Sequence, residues 1–177
     1  GCFFFAAPMS ERLFLLLTLL SLFTVTFYYA MNATNIYIVL KDGMAKRAQV
    51  IMMEEDASEL TKFFQSSYLQ RDQNLQIALE GKSPYTYYTV RGIDHRLKMT
   101  WMWCWPWDTT ARAEFTETIP RIDGRVKSSS ADAARALYGD GFEYPPKWQG
   151  GRYAATLVKE NGQWHVRSLT LLAQVDE

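Results

Sequence analysis

The chain has 177 residues, with 19 Lys plus Arg against 19 Asp plus Glu, and 15% of it is aromatic, including six Trp and ten Tyr. That length holds one ordinary domain and a short appendage but not two full-sized domains. Balanced charge excludes general nucleic-acid binding, which needs excess cations gathered on one face, and aromatics in this number need a core or a partner surface to cover them.

Residues 1–12 read as a short N-terminal tail, with Met9-Ser10-Glu11-Arg12 the more natural start and residues 1–8 extraneous. Leu13 to Met31 then runs LFLLLTLLSLFTVTFYYAM, nineteen residues without a charge. As a helix it spans about 28 Å, close to the hydrocarbon thickness of a bilayer. Tyr28 and Tyr29 stand where an aromatic belt places them. A core helix in so small a domain shows a polar side, and this stretch has none. A signal peptide has a shorter apolar run, basic residues before it and a small-residue cleavage site. The run therefore predicts a transmembrane helix over 13–31, a single-pass anchor in the cell membrane with lipid as its first partner. Orientation is contested: Lys41, Lys46 and Arg47 against Arg12 favour the C-terminal side inside. The layout of short tail, helix and C-terminal domain favours an extracytoplasmic domain. Asn32-Ala33-Thr34 is a glycosylation acceptor only in a eukaryotic secretory setting.

Residues 32–177 are expected to form one soluble α+β domain. Met44, Ala48, Ile51 and Met52 recur at helical spacing, predicting a juxtamembrane helix over about 33–54. Asp56 with Glu59 fits a capping pattern for a helix carrying Leu60, Phe63 and Phe64. A third short helix, 72–80, stops at Gly81. From Tyr85 the aromatic, Thr- and Val-rich segments YTYYTVRG, HRLKMTWMWCW and ARAEFTETIPRI read as strands. In the second of these, alternation groups Leu97, Met99, Trp101 and Trp103 on one face and Lys98, Thr100, Met102 and Cys104 on the other. A polar excursion over 128–150 carries a short helix at 131–138. Last comes a hairpin, RYAATLVKE and QWHVRSLTLLAQ, joined by Asn161-Gly162, a type I′ turn signal.

Helices followed by consecutive strands predict helices covering one sheet face. This order, with the closing strand-Asn161-Gly162-Gln163-Trp164-strand hairpin, resembles the nuclear-transport-factor-2-like superfamily over about residues 41–174. The resemblance implies a cone-like domain, two or three helices packed on a curved antiparallel sheet. The anchored form also resembles the extracytoplasmic cone domains of bacterial conjugation and type IV secretion assemblies, which implies scaffolding.

The candidate interface residues are Trp101, Trp103, Trp105 and Trp107, with Tyr87 and Tyr88. Four indoles on one side exceed what a small core holds. Either Trp101 and Trp103 line the cone interior while the others cap its rim, or the rim pair is a hot spot for a protein partner, or the cluster meets lipid. Asp94, His95 and Asp108 are the candidate polar groups of a pocket, although Asp94 and Asp108 sit beside arginines in expected loops. Cys2 and Cys104 make neither a disulfide framework nor a metal-ligand spacing, and no metal site is expected. No phosphate loop, nucleophile elbow or cofactor motif occurs, so no cofactor is expected. Arg121, Arg125 and Lys127 surround Asp123-Gly124 as a basic turn.

Three functions compete. The first is a non-catalytic anchored interaction or scaffold subunit of a cell-envelope assembly, partnered by other membrane proteins or its own copies. The second is an anchored small-molecule or peptide binder, which needs an open apolar mouth. The third, an isomerase- or dehydratase-like enzyme, needs a buried carboxylate or histidine at a pocket floor.

Overall fold

The computed structural model describes residues 8–176; Cys2 and the rest of the extreme tail lie outside them. Helix α1 runs unbroken from Met9 to Met53, so the expected membrane and juxtamembrane helices are one rod. Its first part is long and apolar enough to cross a membrane, and none of that apolar window is buried. The hydroxyls of Thr18, Ser21 and Thr24 each donate to the carbonyl four residues back, at 2.9, 2.8 and 2.8 Å. These three hydroxyls are thus satisfied within the helix itself.

Beyond Met31 the same helix becomes amphipathic. Asn32, Ile36, Leu40, Met44, Arg47, Ala48 and Ile51 are buried along one stripe, the three-to-four spacing that brings side chains to a common face. Glu54 ends the helix in a left-handed conformation (φ 54°), and Asp56 caps the 3-10 turn Ala57–Lys62 that follows. That turn lies close on α1: a Cβ at Gly43 would stand 2.8 Å from the Phe63 Cβ, so glycine is what permits the approach.

Two short helices follow, α2 (Ser66–Arg71) and α3 (Gln73–Leu79), the latter capped by Asp72 and followed by Gly81 at φ 70°. The strands are β1 (Tyr88–Ile93), β2 (Arg96–Trp103), β3 (Thr110–Thr118), β4 (Ile122–Val126), β5 (Gly150–Glu160) and β6 (Gln163–Val175), with α4 (Ala131–Tyr138) between β4 and β5. The closing hairpin forms as expected, with Asn161 and Gly162 both at positive φ, as a type I′ turn requires.

The strands do not make a cone. They form two separate antiparallel sheets, β2-β3-β5-β6 and β1-β4, both open and uncurled. The expected nuclear-transport-factor-2-like fold, and with it the cone-like domain of two or three helices on a curved sheet, is therefore corrected to a mixed α+β domain behind one long apolar helix. The cause lies in pairing. β1 bonds to β4, from Tyr88↔Val126 to Ile93↔Ile122, rather than to β2 beside it. After Thr118 the Ile119-Pro120 step leaves the larger sheet, since proline has no N–H to continue a ladder.

The core lies between α1 and the inner face of the larger sheet, with Ile36, Leu40, Met44, Phe64, Phe115, Leu157, Trp164 and Val166 fully or almost fully buried. A single parallel bridge, Phe64↔Val166, ties the segment before α2 to β6.

Candidate functional site

The Trp-rich segment is shaped by one inserted residue. β2 pairs with β3 as Leu97↔Glu117 and Met99↔Phe115, then shifts to Trp101↔Glu114, Met102↔Ala113 and Trp103↔Arg112. Thr100 is the extra residue, and its hydroxyl donates to the Glu114 carbonyl at 3.0 Å. Since strand side chains alternate faces, one extra residue reverses the pattern beyond it. Leu97, Met99 and Met102 therefore pack inward, while Trp101 and Trp103 face outward with about half of each ring exposed. The expectation that Trp101 and Trp103 share a face with Leu97 and Met99 and line the interior is overturned by this bulge.

After Trp103 the chain turns through Trp105-Pro106-Trp107-Asp108, closed by Asp108 N–H donating to the Trp105 carbonyl at 3.0 Å. Asp108 steadies the turn, its carboxylate accepting from the amides of Thr109 (2.7 Å) and Thr110 (3.2 Å). Cys104 is buried beneath, and burial together with the Asp108 charge raises its thiol above its ordinary range. The indoles form a continuous stack: Trp103 and Trp105 meet edge-on at 5.0 Å, and Trp105 and Trp107 stack at 5.4 Å. Trp107 is 73% exposed.

This turn lies against α1. Tyr29 meets Trp103 at 6.1 Å between ring centroids, and the Asn32 side-chain amide donates to the Pro106 carbonyl at 3.3 Å. Between turn and helix is an apolar cleft of about 280 Å³, walled by Val25, Thr26 and Tyr29 on one side and Trp103 to Trp107 on the other. The aromatic cluster thus abuts the C-terminal end of the apolar run.

The other expected residues are scattered. Tyr87 is half-buried, and Tyr88 is in the core against Tyr138, its hydroxyl unpartnered. Asp94 is at the far end of β2, paired with Arg96 at 2.8 Å, and lines a cleft of about 520 Å³ with Arg121, Arg125 and Tyr144. Arg125 stacks on Tyr144 at 4.3 Å, so the basic turn is partly engaged by its own neighbour. His95, next to Asp94 in sequence, turns inward instead, and Asp108 stands at the opposite end of the strand. The three do not form a common pocket.

His95 meets a residue the sequence reading passed over. Its Nε2 lies 2.9 Å from Oε2 of Glu117, whose side chain is 0% exposed and whose Oε1 has no partner. Nearby, Arg47 and Asp72 form a buried two-pronged ion pair at 2.6 and 3.0 Å, with the Tyr68 hydroxyl 3.3 Å from the same carboxylate. Burial opposes the Asp72 charge, but hydrogen bonding and attraction from Arg47 outweigh it and hold the carboxyl below its ordinary range. Burial raises both Tyr68 and Tyr153; the neighbouring carboxylates add to it and the Arg47 charge opposes it. Glu117 was legible: Ala111, Ala113, Phe115, Glu117 and Ile119 alternate onto one face, which places a carboxylate in an apolar row. Asp72 and Arg47, 25 positions apart, carried no such signal. Arg47, Asp72 and Glu117 are buried, and the clefts beside β1 and α1 are lined by other residues.

Among the described residues no three His, Cys, Asp or Glu side chains are grouped as a metal site. No protein-family model matches the chain, and neither a curated protein nor a solved structure is detectably similar to it.

Proposed function

We propose that this chain is a single-pass, membrane-anchored, non-catalytic interaction subunit of a cell-envelope assembly, its folded domain on the extracytoplasmic side. The scaffold role implied by the cone resemblance loses its basis with the cone, so the reading stands on other ground. The observation that carries it is the continuity of α1. One helix supplies both the exposed apolar span and, from Ile36 onward, the central element of the domain core. A domain built around its own anchor has no hinge at the bilayer, so its height and tilt are set by the helix. Fixed presentation in the membrane plane raises the effective concentration of weakly binding partners.

The extracytoplasmic placement is supported by the layout of short tail, apolar helix and C-terminal domain, against the count of Lys41, Lys46 and Arg47 over Arg12.

Two measurements test the proposal. Membranes bearing the chain are washed at alkaline pH, and a cysteine placed at Asn161 in a Cys2→Ser background is probed in intact cells with an impermeant maleimide. Retention with labelling is expected, whereas release by alkali refutes the anchor and labelling only after lysis reverses the orientation. Extraction in mild detergent followed by native mass measurement tests the assembly. A defined multi-subunit particle is expected, and a monomer stable to dilution refutes the interaction role.

A further inference from the structure

We infer that the turn Trp105-Pro106-Trp107 is a second membrane contact, seated in the polar–apolar interface of the bilayer that α1 crosses. The inference rests on the anchor reading above and extends it. Its basis is depth. The turn packs on Tyr29, Thr26 and Val25, and these belong to the uncharged run that ends at Met31. At about 1.5 Å per residue, Tyr29 lies roughly 3 Å and Val25 roughly 9 Å inside the end of that run. If the run fills the hydrocarbon layer, the indoles beside it stand at the headgroup boundary and just below.

The chemistry fits that depth. Indole joins an apolar body to one N–H donor and concentrates at the membrane–water interface for that reason. Trp105 and Trp107 remain 48% and 73% exposed although they stack on each other, so the protein itself leaves their outer faces uncovered. The groups behind the turn are ones a headgroup layer accepts. Asp108 spends its carboxylate on local amides, and Arg112, opposite Trp103, is an exposed cation on a long stem.

The same depth decides between occupants. Anything filling the cleft between the turn and Val25 has to be inside the bilayer, so a soluble partner cannot reach its floor. Lipid is already there. The domain is then pinned at two points, the helix and the turn, which fixes its rotation about the helix axis as well as its height.

The test uses the full chain, alone, in phosphatidylcholine vesicles whose lipids are brominated either near the headgroup or near the bilayer centre. Tryptophan emission is expected to be quenched more by the shallow bromines, and Trp105→Phe with Trp107→Phe to lose most of that difference. Trp107→Phe alone, at the most exposed ring, serves if the double variant does not fold. Rings that stay unquenched in a chain retained after an alkaline wash overturn the inference and leave the anchor standing. Equal quenching from the bilayer centre overturns the interfacial placement. Shallow quenching that disappears as the protein-to-lipid ratio rises assigns the cleft to a second copy's helix and also overturns it. A chain released by alkali overturns both readings.

Discussion

The side-chain amide of Asn32 donates to the backbone carbonyl of Pro106 at 3.3 Å, joining residues 74 positions apart. Asn32 is the first residue after the apolar run, and Pro106 is at the centre of the aromatic turn. The bond therefore couples the end of the apolar run to the exposed aromatic turn beside it.

Asn32→Ala is expected to cost about 1 kcal/mol, the net value of an ordinary hydrogen bond. Asn32→Asp should cost at least as much, because a carboxylate has no N–H to donate. Thermal unfolding in detergent, followed by tryptophan emission, measures both. Unchanged midpoints would mean that stacking against Tyr29 holds the turn without help.

The bulge at Thr100 makes an unusual deletion prediction. Removing Thr100 restores regular alternation while leaving Met99 and Met102 inward and Trp101 and Trp103 outward, so the domain should still fold. Removing Lys98 instead turns Leu97 out and Arg96 in, with an expected loss of about 2 kcal/mol or more from the core. Denaturant midpoints of the two deletions should separate clearly. If Lys98 is the better tolerated, the assigned register is wrong.

The buried Arg47–Asp72 pair predicts acid sensitivity with a definite sign. The Asp72 carboxyl is lowered from its ordinary 3.8 in the folded chain. Its stabilisation is therefore fully present above that value and is lost as pH falls through the lowered one. Asp72→Asn should cost about 3 kcal/mol at neutral pH, since it leaves a buried guanidinium without its counter-charge. The gap between variant and wild type should shrink below pH 3.8. Replacing both partners by apolar residues, Arg47→Met with Asp72→Leu, should recover much of the loss. Unfolding curves across this pH range supply the comparison.

Cys104 should be nearly inert in the folded protein. It is 1% exposed, and burial with the Asp108 charge raises its thiol, which lowers the reactive thiolate fraction. In a Cys2→Ser background, maleimide labelling should be slow in native detergent solution and fast after denaturation. Asp108→Asn should speed the native reaction modestly, with the fold unchanged by circular dichroism. Rapid labelling of the native wild type would place the aromatic turn in an open form.

Local features were legible in the sequence because local chemistry decides them. The Asn161-Gly162 turn, the Asp72–Gly81 helix and the stripe from Ile36 to Ile51 follow from backbone freedom, capping and helical period. Glu117 was equally legible and was missed, although its place in an alternating apolar row marks it as buried. The facing of Trp101 and Trp103 was not legible, because no residue type announces a bulge and Thr100 is an ordinary strand residue. Strand partners were not legible either. β1 adjoins β2 in the chain yet pairs with β4, and that choice depends on the whole domain.

The sequence by itself determined that one helix is apolar on every side for nineteen residues and amphipathic afterwards, since hydrophobic pattern and helical period are properties of neighbouring residues. Only the tertiary structure decided that the sheets stay separate and open, that His95 meets Glu117 and Arg47 meets Asp72, and that the tryptophan turn comes to rest beside Val25 and Tyr29. Those relationships join residues far apart in the chain. Their stability comes from a core that exists only once every element is in place.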